Sequence, residues 1–307
     1  MKCYTGEENV RGIALIGNPG GEMMRKIIFT TESGADLPKD LAGKYNIKTV
    51  PMHVVMDGVD YKDDGSLPVS EIYDYHDRTK MIPSTTSTNP NEYEELFAEI
   101  KRDYPEHTIV HIGYTSKASS SFHNAEIAAE NFTDIHLIDA LNVSGGLSAV
   151  VLYAAELLEE NPEIALEELL AKIEASVPKS RMVFVPGSLE FLKAGGRVSN
   201  AAYISASLLK IKPVIELVDG KLVSTKKYRG KMSRVAVELM QDYLKKYSVD
   251  RKQLYFVFSI GLEDSIKTQM EEVAKENGFE KVTWIEAGSV ISTHGGPGAF
   301  GIAGLEQ

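Results

Sequence analysis

Three stretches hold the polar groups with which this chain could grip a ligand. His111 to Ala125 reads as a buried strand, then the turn Ser119-Ser120-Ser121, then a helix. A second hydroxyl cluster, Ser84-Thr85-Thr86-Ser87-Thr88, stands between Pro83 and Pro90, just ahead of another helix. The third is His294, followed by Gly295-Gly296-Pro297-Gly298, which predicts a tight loop whose backbone approaches a ligand closely. At the carboxyl end of a strand and the amino end of a helix, free N–H groups and the helix dipole favour an anion. Hydroxyls add donors with little bulk. Taken singly, each serine is equally a helix cap, each Ser/Thr run a solvated loop and a lone histidine a structural one. Their recurrence in one chain is what points to anion binding.

Other chemistries lack their residues. No G-x-S-x-G elbow accompanies Ser119, so the alternative of a serine acyl hydrolase, with Ser119 as nucleophile and His294 as base, lacks its strand-to-helix turn. No phosphate-binding loop occurs, since Gly220-Lys221 is followed by Leu222 and Gly230-Lys231 by Met232. His107 and His111 lie four apart on a predicted strand without further ligands, which does not make a metal site.

The elements that must position these groups alternate. Lys26 to Thr31 is an apolar strand closed by Thr31-Glu32-Ser33-Gly34, a site-compatible turn, with a short helix over Leu37 to Tyr45. Ile47 to Met56 reads as a second strand with a hairpin at Asp57-Gly58, and Leu67 to Arg78 as a helix with Ser70 as cap. Glu92 to Asp103 is helical and Ile135 to Ile138 a strand, while Gly145 to Glu159 is so apolar that it must be buried on most sides. Such strand–helix repetition implies a mainly parallel sheet. Asn161-Pro162 breaks the chain. Beyond it come helices over Glu163 to Val177, Ser233 to Tyr247 and Asp264 to Asn277, and a glycine-capped helix from Leu189. Strands Met182 to Val185, Leu254 to Ile260 and Val282 to Ile285, with a hairpin around Asp219-Gly220, complete a mixed sheet. The expected architecture is therefore α/β with two α/β domains: residues 1–24 a leader or extension, 25–160 the first domain and 161–307 the second.

With 307 residues, 43% of them hydrophobic, the chain can bury two cores. Its formal net charge of −11 argues against nucleic acid and against an anionic membrane surface. A single cysteine, Cys3, excludes an internal disulfide framework and makes a cytoplasmic setting the expectation. No apolar run approaches the roughly 18 residues of a spanning helix, so no stable membrane insertion is expected.

From Arg25 onward the chain resembles the DegV family of bacterial lipid-binding proteins, which includes the acyl-carrying partners of fatty acid kinase. The resemblance rests on several ordered motifs: Thr31-Glu32-Ser33 with Ala35-Asp36-Leu37-Pro38, Pro83-Ser84-Thr85-Thr86, and the Ser119 turn. It continues in Leu189 to Arg197, Lys212-Pro213 with Asp219-Gly220, and His294-Gly295-Gly296-Pro297-Gly298. It implies that a long-chain fatty acid lies in a tunnel between or within the two domains. The carboxylate would be held by Thr85, Thr86, Ser119 and His294, with Ser33, Ser87, Ser120, Gly295 and Gly296 lining or backing the pocket. No cofactor or metal is implied. A separate fatty acid kinase protein would phosphorylate the presented carboxylate for phospholipid synthesis, with Arg197 and Arg229 as docking contacts; the carrier itself would have no turnover.

This chain departs from the family pattern in places. Glu32 stands for an aspartate, Thr85-Thr86-Ser87-Thr88 for T-S-Q-P, Ser116 to Ser121 for S-G-L-S-G-T, and Gly295 for a threonine. Lys117, in a glycine's place, would alter the pocket mouth. Energetically, a tail of about 14 methylenes at about 0.8 kcal/mol each offers on the order of 11 kcal/mol before ordering losses. The tail would supply affinity and the hydroxyls orientation. A carboxylate beside His294 would raise the imidazole's pKa.

Overall fold

The structure, a computed structural model, describes residues 26–199 and 211–307; the expected leader lies outside them. In chain order the first half runs Lys26–Glu32 (β1), Lys39–Lys44 (α1), Lys48–Val50 (β2), His53–Met56 (β3), Val59–Lys62 (β4), Val69–Thr79 (α2), Ser84–Thr86 (β5), Pro90–Asp103 (α3), His107–Gly113 (β6), Ser121–Ala129 (α4), Ile135–Asp139 (β7) and Ser144–Glu160 (α5). The second half runs Leu166–Ser176 (α6), Ser180–Val185 (β8), Leu189–Gly195 (α7), Ile211–Val218 (β9), Lys221–Arg229 (β10), Met232–Lys246 (α8), Gln253–Phe258 (β11), Asp264–Glu276 (α9), Lys281–Glu286 (β12), Ser289–Gly295 (α10) and Phe300–Leu305 (β13).

The β-branched runs of the first half form a parallel sheet in the order β2-β1-β6-β7. Its faces alternate along each strand, as pleating requires. Ile28 and Ile109 face Tyr93, Phe97 and Ile100 of α3 and Ala125 of α4, whereas Phe29, Val110 and Ile112 face the cluster built around α5. Strands of the second half form a mixed six-stranded sheet, β10-β9-β8-β13-β11-β12. Its outer face is covered by Val235, Leu239 and Met240 of α8 and Ile266 and Met270 of α9. The inner face meets α5, buried from Ser144 through Leu152, so a single hydrophobic cluster runs from Phe29 through Leu147 and Val151 to Met182, Tyr255 and Val257.

Three expectations change. Ile47 to Met56 is not one strand. Pro51, which has no N–H for a ladder, separates β2 in the parallel sheet from β3, which pairs with β4 and β5 in a small antiparallel sheet. The Ser/Thr run is correspondingly not a loop, because Ser84, Thr85 and Thr86 pair with Val55, Val54 and His53. Pro68 rather than Ser70 precedes α2.

At the carboxyl end of β1 a buried charge ties the central strands together. Glu32 accepts from the Tyr93 hydroxyl at 2.6 Å and the Tyr114 N–H at 2.7 Å, and lies 3.2 Å from His111 Nε2. His111 Nδ1 in turn lies 2.9 Å from Thr30 Oγ1. Burial pushes the Glu32 carboxyl up, but the attraction of His111 and the hydrogen bonds it accepts outweigh burial and hold it below its ordinary range. Glu32→Ala strands these buried donors and should destabilise the fold by about 3–5 kcal/mol in urea unfolding, the range for breaking a buried pair. A loss under about 1 kcal/mol would mean that the network is not structural.

Candidate functional site

The helix α10 is the centre of the site. Among the described residues it packs against α7 of the second half and against α2, β3 and β5 of the first. Its amino end is held by two carboxylates from the first half. Asp36 Oδ1 accepts from Gly288 N–H at 2.8 Å, and Asp63 Oδ1 from Ser289 N–H at 2.9 Å, the favoured end of a helix for negative charge. The Ser289 hydroxyl donates to the Leu67 carbonyl at 3.0 Å, and the Ser144 hydroxyl to the other Asp36 oxygen at 2.5 Å. Burial pushes both carboxyls up, Asp36 well above its ordinary range.

His294 sits in the last turn of α10 instead of the tight loop that its glycines suggest; the loop begins only at Gly296, whose φ of +69° ends the helix. Its Nε2 lies 2.8 Å from Thr85 Oγ1, across 209 residues of sequence. With the imidazole proton on Nε2, the Thr85 oxygen accepts and its own hydrogen is free for a ligand. Nδ1 is buried without a partner against Gly195, where a Cβ would come within 2.1 Å of it. Gly195 therefore belongs to the site by being small. Burial, with the Arg197 charge second, lowers the His294 pKa from 6.5 to about 4. The expected upward shift belongs to a state with a carboxylate beside it; without one, the ring is neutral at physiological pH.

His294 forms part of the wall of a partly open cavity. Val143 from the start of α5, Met182 and Phe184 of β8, Leu192 of α7, Val257 of β11 and Phe300 of β13 make the rest of the wall mainly apolar. Gly295 lines it too, and Arg197 stands there as an exposed residue whose guanidinium donates to the Gly195 carbonyl at 2.6 Å. Arg197 is thus at the cavity as well as at the surface.

The other expected residues are distributed more widely. Ser119 does not line the cavity; its hydroxyl lies 3.0 Å from that of Ser121 and accepts the Ser121 N–H, the bond of a local turn. Ser120 donates to Ser87 at 2.8 Å, joining the Ser119 turn to the segment that follows β5. Thr86 is exposed, and Ser33 accepts the Met52 N–H at 3.0 Å. The Gly296 carbonyl accepts from Ser259 at 2.6 Å, and Arg229 is exposed at the end of β10. The structure therefore joins Thr85 to His294 but leaves Ser119 with other partners, so Ser119 and His294 form no nucleophile–base pair. Among the described residues no cluster of His, Cys, Asp and Glu could hold a metal ion, and no helix is long and apolar enough to cross a membrane. Two groups at the site escape a sequence reading: Tyr114 and Ser144, both on the cavity wall. Tyr114 directly follows the central strand β6, where ligands meet parallel sheets, and that position was its only signal.

Comparison with known proteins gives this geometry a setting. The family model described as "Uncharacterised protein, DegV family" matches residues 26–307. A DegV domain-containing protein of Caldanaerobacter subterraneus subsp. tengcongensis is 32% identical over 289 residues, covering 91% of this chain and 98% of that protein. Among solved structures, a fatty acid-binding DegV family protein from Thermus thermophilus superposes with a TM-score of 0.82 at 28% identity, over 92% of this chain and 100% of that one. The Streptococcus pneumoniae Fatty Acid Kinase (Fak) B3 protein, loaded with linoleic acid, shares the fold with a TM-score of 0.79 at 20% identity, over 92% and 100%.

Because the folded His294 resists protonation, its contribution to stability is present above pH 6.5 and lost as pH falls toward about 4. Asp36, pushed the other way, contributes at low pH and loses that contribution as pH rises, so the two must be separated by substitution. Between pH 7 and 4.5, unfolding of the unliganded wild type should lose on the order of 2 kcal/mol more than that of His294→Phe. Parallel curves for the two proteins would show that His294 titrates normally.

Proposed function

The chain belongs to the DegV family, and on that premise we propose that it is a fatty acid-binding protein which buries a long acyl tail and presents the carboxylate at Thr85 and His294. The observation that carries this reading is His294, which stands in the wall of a mainly apolar cavity with Thr85 Oγ1 behind it at 2.8 Å from its Nε2. A carboxylate desolvated there needs a donor and a compensating charge: the Thr85 hydroxyl, whose oxygen the His294 ring holds, supplies the first and the protonated ring the second. A methylene tail needs only apolar wall, which Val143, Met182, Phe184, Leu192 and Val257 supply. The fatty acid-binding character of the Thermus thermophilus relative supports the ligand class.

Binding then carries a proton with it. A carboxylate entering beside a neutral imidazole favours the imidazolium, which removes the penalty of an unpaired buried charge on either partner. The empty site is neutral and the filled one is an ion pair.

The protein acts as a carrier without turnover of its own. Its likeness to the Fak B3 fold supports a place beside a separate kinase that phosphorylates the presented carboxylate. Arg197, at the cavity and exposed, and Arg229, exposed at the end of β10, are the residues assigned to that partner. A cytoplasmic setting agrees with such a role.

Denaturing mass spectrometry of an organic extract from the purified protein should recover close to one long-chain fatty acid per chain. Protein that neither retains nor takes up fatty acid would refute the reading. His294→Ala should weaken binding of a radiolabelled fatty acid by roughly tenfold to a hundredfold, the span for a lost hydrogen bond to a charged group. Calorimetry in buffers of different ionisation enthalpy should register proton uptake near pH 7 in the wild type and none in the variant.

A further inference from the structure

We propose that the Tyr114 hydroxyl is a further donor to the ligand's carboxylate, completing the head-group site with Thr85 and His294. The inference rests on the fatty acid reading above and deepens it.

Tyr114 is 7% exposed, and its side chain forms part of the same cavity wall as His294 and Arg197. Its hydroxyl has no hydrogen-bond partner among the described residues, unlike the other two hydroxyls on that wall. Ser144 is spent on Asp36, and Ser259 both donates to the Gly296 carbonyl and accepts the Ala299 N–H. A phenol left open in a mainly apolar cavity lacks the partner that buried hydroxyls nearly always have.

The ring is also held in place from behind. Glu32 accepts the Tyr114 N–H at 2.7 Å, and Gly34 makes room for the ring, since a Cβ there would lie 2.9 Å from its Cδ2 atom. Tyr114, Arg197 and His294 line the same cavity, and the charges of Asp36 and then Arg197 act on the phenol, so it stands among the polar groups of that wall. Ser119, which the sequence offers as the third donor, is instead committed to its own turn.

Tyr114→Phe removes one oxygen and keeps the ring. Wild type, Y114F and S119A are compared for binding of palmitic acid and of the matched alcohol, hexadecanol. Y114F should bind the acid about tenfold more weakly or worse, as when a hydrogen bond to a charged group is lost, and the alcohol within about twofold of wild type. S119A should bind both as wild type does. Equal weakening of acid and alcohol by Y114F would reduce Tyr114 to packing, and an unchanged acid affinity in Y114F, or a loss in S119A alone, would overturn the inference while leaving the fatty acid reading intact. Failure of the wild type to bind the acid would remove that reading and the inference with it. Should Y114F not fold, a crystal structure of the wild type with palmitate decides: Tyr114 Oη within about 3.2 Å of a carboxylate oxygen supports it, and a carboxylate turned away overturns it.

Discussion

A hydroxyl from residue 85 and an imidazole from residue 294 stand 2.8 Å apart, and much of the architecture around the cavity serves that distance. Neither group has a neighbour in sequence that could hold it there. Thr85 is fixed because β5 pairs with β3, and β3 is free to pair because Pro51 ends its continuation from β2. His294 is fixed because α10 is anchored at its other end, where Asp36 and Asp63 accept the Gly288 and Ser289 N–H groups. A helix of seven residues has little stability of its own, so tertiary anchors set its position and, through it, the imidazole.

Those anchors explain why burial is tolerated at an otherwise expensive place. Burial disfavours the charged form of both carboxylates and pushes both up, with a smaller contribution at Asp36 from the charge of Asp63. A Ser144 hydroxyl, two backbone donors and the positive end of the helix offset that penalty in part. Ser144 also forms cavity wall, which makes the packing of α5, the anchoring of α10 and the shape of the ligand space parts of one arrangement. Displacing α10 at its amino end would open the Thr85–His294 distance at the other.

Much of this was legible in the residues. The β-branched runs indicate the parallel sheet and its helices, and the largely apolar sequence from Leu147 to Leu158 marks α5 as buried between layers. The motif order from Thr31 to Gly298 identified the family that the comparisons show. Local pattern failed where pairing is decided at a distance. A three-residue strand of serine and threonine has no period to read, and its partner β3 lies some thirty residues earlier. The glycines after His294 suggested a loop for the histidine itself because they mark where a helix stops, and a seven-residue helix gives too few turns for an apolar stripe. Ser119 looked like a ligand group because it follows a strand and precedes a helix, as Tyr114 also does more closely; only the side-chain directions distinguish them.

The cavity walls come largely from the same hydrophobic cluster that joins the two large sheets: Val143, Met182, Leu192 and Val257 belong to both. Ligand space and core are therefore continuous, which has an energetic consequence. Atoms facing an empty cavity lack dispersion partners on that side, whereas a tail lying in it supplies them and removes apolar surface from water. Anything that binds the folded chain and not the unfolded one stabilises it by mass action, so occupancy of the cavity by the proposed lipid would raise fold stability. The polar end behaves differently. In the proposed complex, Thr85, His294 and a carboxylate would exchange hydrogen bonds with water for hydrogen bonds with each other, a trade of modest net worth that would fix where the head stands. On the proposed reading, affinity would reside in the walls that also make the core, and orientation in a few groups that a 2.8 Å contact keeps aligned.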